Sequence, residues 1–513
     1  LVQQVIKSIE LKQFLQQIHQ SKRIAYIFFI GLIVQLIYCI TSVGYFHPDQ
    51  HFQVIEFSSL QLNMPNAAGA VWELESSIRP TLQVYIFTAF RSLCHWISID
   101  NPFTILTLLR VFQGILFYII LNAIVLWYYK NRTEKTIATV LFLLNFSWIL
   151  IYTRTLFSSE TLSAIVFFPA IVYFHKQYLE KNIDFIKCLL VGFFIAIAFY
   201  LRFQIGFAII GFGIWIFIIE KQFKYSFQIL LGFCIGIAMN VFLDYEFYHK
   251  LVFTPYLYFK VNLLQGVAAS FGEKSFTYYL FILMAIILAP FISIVLFYQF
   301  IKTSLLKLKH PLVLSTLLFI IGHCFVGHKE ERFMFSIFSI IPIIIGLNDT
   351  AFNFLDADNK WRKVVKPVVI FSLILNFILL ILFTFTPYSQ SIHFISKLSS
   401  HFKGTQSKVY CYERTPLQTE SHLPLTYYSG ALSNVQFIET KNIDSITKLN
   451  ESSIWITSTF NDIKDNFGKL DSLGYKPQLY SSSMLWNINL FLQQKKVNTV
   501  NDIWVLYKLD KKQ

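Results

Sequence analysis

Four short stretches crowd ionisable side chains into an otherwise apolar chain. His47-Pro48-Asp49-Gln50-His51, with Glu56 five residues on, opens the first polar loop. Proline pushes its predecessor out of the helical region, so Asp49 belongs at the exit of an apolar helix, where a carboxylate can take the proton of an attacking hydroxyl. His47, Asp49, His51 and Glu56 are also donor types that bind divalent metals. Their spacing matches no metal motif, so neither a metal nor any other cofactor is expected. The second stretch is His328-Lys329-Glu330-Glu331-Arg332-Phe333, between two apolar segments. Ionisable groups at a membrane boundary are costly unless paired, solvated or used. Either this is a turn with internal Glu–Arg pairing, or His328, Lys329 and Arg332 grip a phosphate, Arg by its fork and Lys as a point charge. The remaining pieces are Arg154 and Glu160 flanking Thr155–Ser159, Arg202 inside an apolar run, and Asp244-Tyr245-Glu246-Phe247-Tyr248 ahead of Val252-Phe253-Thr254-Pro255-Tyr256. Arg202 by itself could simply reach back to the interface.

Together these residues describe a charged, aromatic-rimmed cavity beside lipid, suited to a substrate with an apolar tail and an anionic head. The chemistry expected is transfer of a sugar from a lipid phosphate. Phosphate leaves as a stable anion without a general acid, so one carboxylate, Asp49, suffices as base. Glycoside hydrolysis, in contrast, requires two carboxyls. Charge developing on the departing phosphate calls for preorganised cations, which Lys329, Arg332 and Arg202 would supply. Such a single displacement inverts the anomeric centre. His47, His51, Glu56, Arg154, Glu160, Asp244 and Glu330 are expected on the acceptor side or in support.

These residues need a scaffold, and the composition says which. Of 513 residues, 55% are hydrophobic and 14% charged, against about a quarter charged in soluble domains. That excludes a cytosolic enzyme, a secreted disulfide scaffold and a disordered chain. The net charge of +14 is read as basic cytoplasmic loops rather than as nucleic-acid binding. Six scattered cysteines provide no disulfide framework. At roughly 17 to 25 residues per span, candidate crossings are Ile24–Tyr45, Phe103–Tyr129, Thr136–Tyr152, Thr161–Tyr178, Phe185–Tyr200, Phe203–Ile219, Tyr225–Leu243, Phe276–Tyr298, Pro311–Val326, Phe333–Leu347 and Val368–Phe385. The first lacks a small-residue cleavage site and reads as a retained helix. Thr81–Ile97, carrying Arg91 and His95, is amphipathic.

If Thr81–Ile97 dips without crossing and the N-terminus is cytoplasmic, the basic groups fall together on the cytoplasmic side. They run from Lys22/Arg23 through Lys130/Arg132/Lys135, Lys176/Lys181, Lys221/Lys224 and Lys302/Lys307/Lys309 to Lys360/Arg362/Lys363/Lys366. The loops His47–Pro80, Arg154–Glu160, Asp244–Ser275 and Gly327–Arg332 then share the opposite face. The expectation is a multi-pass membrane domain over residues 1–387 with about eleven helices. A small α/β soluble domain over 388–513 follows on the non-cytoplasmic face, with strands at Lys408–Tyr412, Ile454–Thr457 and Ile503–Tyr507.

The His-Pro-Asp start of loop one, the Arg-Thr-x-x-Ser-x-Glu pattern at Arg154–Glu160, and Asp244…Phe247-Tyr248…Val252-Phe253-Thr254-Pro255 resemble glycosyltransferase family 22. So does His328-Lys329-Glu330-Glu331-Arg332-Phe333, the most specific of the four. The resemblance spans roughly residues 40–345. It implies the GT-C fold and a dolichyl- or polyprenyl-phosphate-mannose-dependent mannosyltransferase of the N-glycan or GPI-anchor assembly type, with Asp49 as the catalytic aspartate and the His-Lys-Glu motif on the donor side. The implied partners are the polyprenyl-phosphate sugar, a glycolipid or glycan acceptor and the bilayer, in a bacterial inner membrane with a periplasmic site or an endoplasmic reticulum membrane with a lumenal one. Two positions depart from the pattern: Gln50 stands where an acidic residue is common, and Ser270–Ser275 replaces an aromatic-rich stretch. A transporter or flippase of lipid-linked sugars is the alternative, and it predicts mid-membrane charges and paired broken helices. A membrane acyl- or phosphotransferase would need a nucleophile–base pair or a metal motif.

Overall fold

The computed structural model describes residues 16–18, 21–62, 72–286, 291–356, 362–419, 423–443, 453–483 and 503–511. Residues 63–71 of the long first loop, 287–290 of the expected span Phe276–Tyr298, and Lys360 lie outside them. The described residues are mainly helical, with one small sheet among them near the C-terminus.

Four described helices are long and apolar enough to cross a membrane: Lys22–Thr41, Pro102–Tyr128, Phe223–Tyr248 and Lys363–Phe385. Two further pairs pass only as bent units, Glu134–Phe146 with Trp148–Thr155 (59°) and Ile292–Leu306 with Pro311–Phe325 (118°), for up to six spans. The expectation of eleven counted apolar runs, but several runs are broken into short helices. Residues 331–345 divide into Glu331–Met334, Phe335–Phe338 and Ile340–Ile345. Residues 203–219 divide into a 3₁₀ turn, an α-helix and a π-helix. Broken backbone is tolerated at membrane depth where protein groups satisfy the freed amides and carbonyls. The break at Ser147 shows how: the Asn376 amide donates to Phe146 O (2.7 Å) and accepts from Trp148 N–H (3.1 Å).

The chain divides into two compact units. The first comprises Leu1–Thr41, Trp72–Ile86 and Leu109–Thr386. In it, Phe185–Leu201 lies against Phe223–Tyr248 with the backbones nearly touching. A Cβ on Gly192 would stand 1.9 Å from Ile229 O, and one on Gly232 would stand 2.1 Å from Leu189 O. Small residues permit this approach where lipid provides no hydrophobic drive between helices. Polar residues inside the unit bond to one another: Asn145 donates to Asn122 Oδ1 (2.7 Å) and Asn122 returns the bond (3.1 Å). The Lys22–Thr41 and Arg362–Phe385 helices are tied at their C-terminal ends, where Thr41 Oγ1 donates to Thr384 O (2.6 Å).

The second unit comprises Ser42–Val71, Phe87–Leu108 and Pro387–Gln513. Its sheet has strands β1 (Ser407–Tyr412), β2 (Val435–Thr440), β3 (Ser453–Thr459), β4 (Tyr475–Ser482) and β5 (Trp504–Lys511) in the order β2-β1-β3-β5-β4. β1 runs parallel to β2 and β3, and β5 runs antiparallel to β3 and β4. Ile454, Ile456, Ile463, Leu470, Val505 and Leu509 anchor its core. The three strands expected from sequence are the central ones. The additional two, β2 and β4, are the edges, and β4 carries Pro477, a residue that sheets confine to such positions.

Candidate active site

Two of the sequence motifs converge in the first unit. The Ser159–Leu179 helix is capped by Ser158, which accepts from Thr161 N–H, and it carries Glu160 in its first turn. Arg202 ends the Phe185–Leu201 helix. The Glu160 carboxylate, with its side chain 2% exposed, meets Arg202 Nη2 at 3.2 Å and Arg332 Nη1 at 3.9 Å. Arg332 also forks onto Glu330, with Nε at 2.5 Å and Nη2 at 3.1 Å. Both guanidinium groups lie near the Phe333 ring, at 4.9 Å for Arg202 and 5.4 Å for Arg332. His328 places Nε2 on Glu330 Oε1 and Nδ1 on Gly272 O, each at 2.9 Å. Lys329 is buried, and its ammonium donates to the carbonyls of Lys274 (3.1 Å), Gly327 (3.5 Å) and Val326. Arg202 and Arg332 thus stand against Glu160 and Glu330, and Lys329 is held by the carbonyls of the adjoining turn. Such a group is costly to keep in low dielectric except as a network, and it is suited to receive a further anion.

Asp244 and Arg154, the other candidates of that unit, have different partners. Asp244 is fully buried and saturated, accepting from Thr81 N–H (2.9 Å), Thr81 Oγ1 (2.8 Å) and Thr254 Oγ1 (2.6 Å). It pins the segment before the Leu82–Trp96 helix to the Phe-Thr-Pro turn. Arg154 is 1% exposed, and none of its three guanidinium nitrogens has a hydrogen-bond partner among the described residues. It faces the Tyr118 ring at 5.7 Å and lines a space of about 10 Å³ with Thr161, Ser336 and Ser339.

Loop one belongs to the second unit. His47 Nδ1 accepts from Asp49 N–H (3.2 Å), and Pro48 occupies the first helical position, so Asp49 sits on a capped turn. The Asp49 side chain is 28% exposed, and its Oδ1 lies 3.5 Å from His47 Nδ1. Residues His51–Glu56 then form a π-helix, whose wider turn brings i and i+5 onto one face. That face pairs His51 Nε2 with Glu56 Oε1 at 2.8 Å, both side chains fully buried. Glu56 also accepts from Tyr427 N–H (3.1 Å) and the Thr426 hydroxyl. The His51 ring stacks on Tyr45 (5.1 Å) and Tyr428 (5.4 Å). Burial pushes the Glu56 carboxyl up, but the His51 bond and charge, with Thr426 and Tyr427, outweigh it and hold the group below its ordinary value. Loop one is therefore clasped to the 3₁₀ helix Thr426–Leu432 of the C-terminal segment.

Several partners carry no sequence signal. Thr426 and Tyr427 lie some 370 residues from Glu56, and Ser336, which donates to Glu160 O (3.0 Å), is an unremarked serine. Thr254, by contrast, lies inside the Val-Phe-Thr-Pro motif. Among the described residues no group of three or more His, Cys, Asp or Glu could hold a metal ion.

Comparison with known proteins follows from this geometry. Among solved structures, ArnT from Cupriavidus metallidurans bound to undecaprenyl phosphate superposes with a TM-score of 0.56 at 11% identity, covering 94% of this chain and 97% of that one. Its apo form gives 0.51 at 10% identity, with the same coverage. The fold is therefore of the GT-C type. The GPI mannosyltransferase 3 of Debaryomyces hansenii is 24% identical over 375 residues, 70% of this chain and 64% of that protein. The same-named protein of Yarrowia lipolytica is 24% identical over 316 residues, 60% and 58% of the two chains. The matched regions thus span less than two thirds of these relatives' length. Residues 26–418 match the sequence profile of the Alg9-like mannosyltransferases, well over half of the chain and the whole of the motif-bearing part. This integral membrane protein belongs to the Alg9-like mannosyltransferase family.

Proposed function

We propose that the protein transfers mannose, or a similar hexose, from a polyprenyl-phosphate sugar to a hydroxyl of a glycolipid or glycan, inverting the anomeric centre. The observation that carries this is the buried pair Arg202 and Arg332 on Glu160, with the carbonyl-held Lys329 of the same motif, because a departing lipid phosphate needs fixed positive charge more than it needs an acid. In this reading the acceptor oxygen forms a bond to the anomeric carbon as the carbon–oxygen bond to phosphate breaks. The leaving phosphate keeps the electron pair, and Asp49 takes the acceptor's proton. Asp49 suits the role: Glu56 is buried and saturated and Glu73 is paired with Arg79, while Asp49 stays accessible on a capped turn.

Arg202 and Arg332 are the proposed phosphate contacts. Lys329 acts as a charge fixed by carbonyls, and His328 and Glu330 orient Arg332. Glu160 holds the two arginines together. Arg154, Asp244, His47, His51 and Glu56 are assigned to support. The catalytic face is assigned to the non-cytoplasmic side, lumenal or periplasmic, because the basic loops mark the other side. Membership in a mannosyltransferase family favours this reading over a transporter of lipid-linked sugars.

The test is purified protein with radiolabelled polyprenyl-phosphate mannose and an extract of glycolipid acceptors. Mannosylated glycolipid should form with inversion, and its formation should stop in Asp49→Asn. Donor consumption without a glycolipid product, or transfer that survives Asp49→Asn at the wild-type rate, would overturn the assignment.

A further inference from the structure

We propose that the first unit holds a binding site for one anionic glycerophospholipid, at the end of the helix bundle where the Lys22–Thr41 and Arg362–Phe385 helices begin. A pocket of about 620 Å³ opens there, lined by Ile27, Phe142, Leu143, Leu296, Phe352 and Leu373 among others, with Arg23 as its charged member. That volume lies in the range of about 300–1,000 Å³ typical of small-ligand sites. An apolar pocket that opens beside a span's charged end takes a chain and a head group, not a soluble metabolite.

The helix directions place the charges. Thr41 bonds Thr384 at the C-terminal ends of the two spans, so their N-terminal ends, with Arg23 and Lys366, lie at the opposite end together. The Glu134–Phe146 helix begins there too, since Ser21 Oγ donates to Glu134 Oε1 (2.5 Å). On the Arg362–Phe385 helix, Lys366, Val369 and Leu373 fall at i, i+3 and i+7, one face of the helix. Val369 and Leu373 line the pocket, so Lys366 stands one turn outside it on the same stripe.

The described acids of this end are already engaged. Asp349 pairs with Arg132 (2.5 Å), Asp356 with Lys135, and Glu134 with Ser21. Arg23 and Lys366 are exposed and make no hydrogen bond or ion pair among the described residues. Two cations at the rim of an apolar pocket, with no acidic partner among the described residues, complement a phosphodiester whose acyl chain lies inside. Basic pockets between membrane helices recognise anionic lipid head groups by this same combination. The site is distinct from the proposed donor site, because its lining contains no residue of the Glu160 cluster and none of the family motifs.

Native mass spectrometry of purified protein, delipidated and then offered equimolar dioleoyl-phosphatidylglycerol and dioleoyl-phosphatidylcholine, tests this. Wild type should retain one phosphatidylglycerol per chain in preference to phosphatidylcholine, by about fivefold for each cation. Arg23→Gln with Lys366→Gln should abolish the preference. Leu143→Trp or Leu373→Trp, each filling the pocket from a different helix, should lose retention of both lipids. Equal retention of the two lipids by wild type, an unchanged preference in the double glutamine variant, or full retention in both tryptophan variants would overturn the proposal. Thermal unfolding of each variant in the same detergent confirms that it is folded.

Discussion

Replacing Glu56 with alanine removes one buried acceptor group and leaves three donors behind: His51 Nε2, Tyr427 N–H and the Thr426 hydroxyl. Breaking a buried charged pair on one side costs about 3–5 kcal/mol, a range that already contains the penalty of leaving its partner unpaired. Glu56→Ala should therefore cost about 4 kcal/mol. Glu56→Gln keeps the shape and the Oε1 acceptor used by His51 and Tyr427, and Thr426 can rotate to accept from the new amide. It loses only the charge assistance, about 1–2 kcal/mol. Denaturant unfolding of the purified protein, followed by protease cleavage within the C-terminal segment, measures both losses, and Thr426→Val in a double-mutant cycle should show a coupling of about 0.5–3 kcal/mol. The pH dependence has a definite sign. The folded carboxyl lies below its ordinary value, so its contribution is complete above about pH 4.3 and is lost as pH falls through the folded value. Glu56→Gln should flatten the stability profile in that acid window and nowhere above it. An unchanged midpoint in Glu56→Ala, or a zero coupling with Thr426, would refute the clasp.

Asp49→Asn should lower transfer by about a hundred- to ten-thousand-fold with donor affinity preserved, as measured by single-turnover kinetics and donor binding. Arg332→Lys keeps the charge but loses the fork onto Glu330, so donor affinity should fall, and Arg332→Ala should lower it further; unchanged affinity in both would make the cluster structural. Asp244→Ala strands the Thr81 amide and two hydroxyls, so thermal unfolding should show a loss of a few kcal/mol while donor affinity in the folded fraction stays unchanged. Cysteines placed at the exposed Ser270 and Ser429 should react with an impermeant thiol reagent from the non-cytoplasmic side; labelling only after permeabilisation would reverse the assigned orientation.

Much of the architecture was readable before any fold was drawn. A chain with this few charges cannot cover a core in water, so composition by itself demanded a membrane protein. Val409, Ile454, Ile456 and Val505 lie on strands buried in the middle of the sheet, and such strands read as apolar runs. The edge strands escaped because their polar positions face outward: Gln436 and Glu439 in β2, Lys476 and Gln478 in β4. The number of continuous spans was also beyond reach of hydropathy. A window average does not register the break at Ser147, which is made tolerable by an asparagine 229 positions away.

The candidate site divides along the same line. The sequence by itself determined which residue types sit at the ends of apolar helices, and Pro48, the Ser158 cap and the His-Lys-Glu-Glu-Arg-Phe run were all legible as local signals. Only the tertiary structure decided who pairs with whom: Glu160 with Arg202 and Arg332, Asp244 with Thr81 and Thr254, Glu56 with Thr426 and Tyr427, and Lys329 with backbone carbonyls in place of any acid. Caps, prolines and periodicity are energies of neighbouring residues, so they are written in sequence order. The partner of a buried charge is set by which distant segments pack beside it, because in low dielectric the charge must take the acceptors or donors that packing supplies.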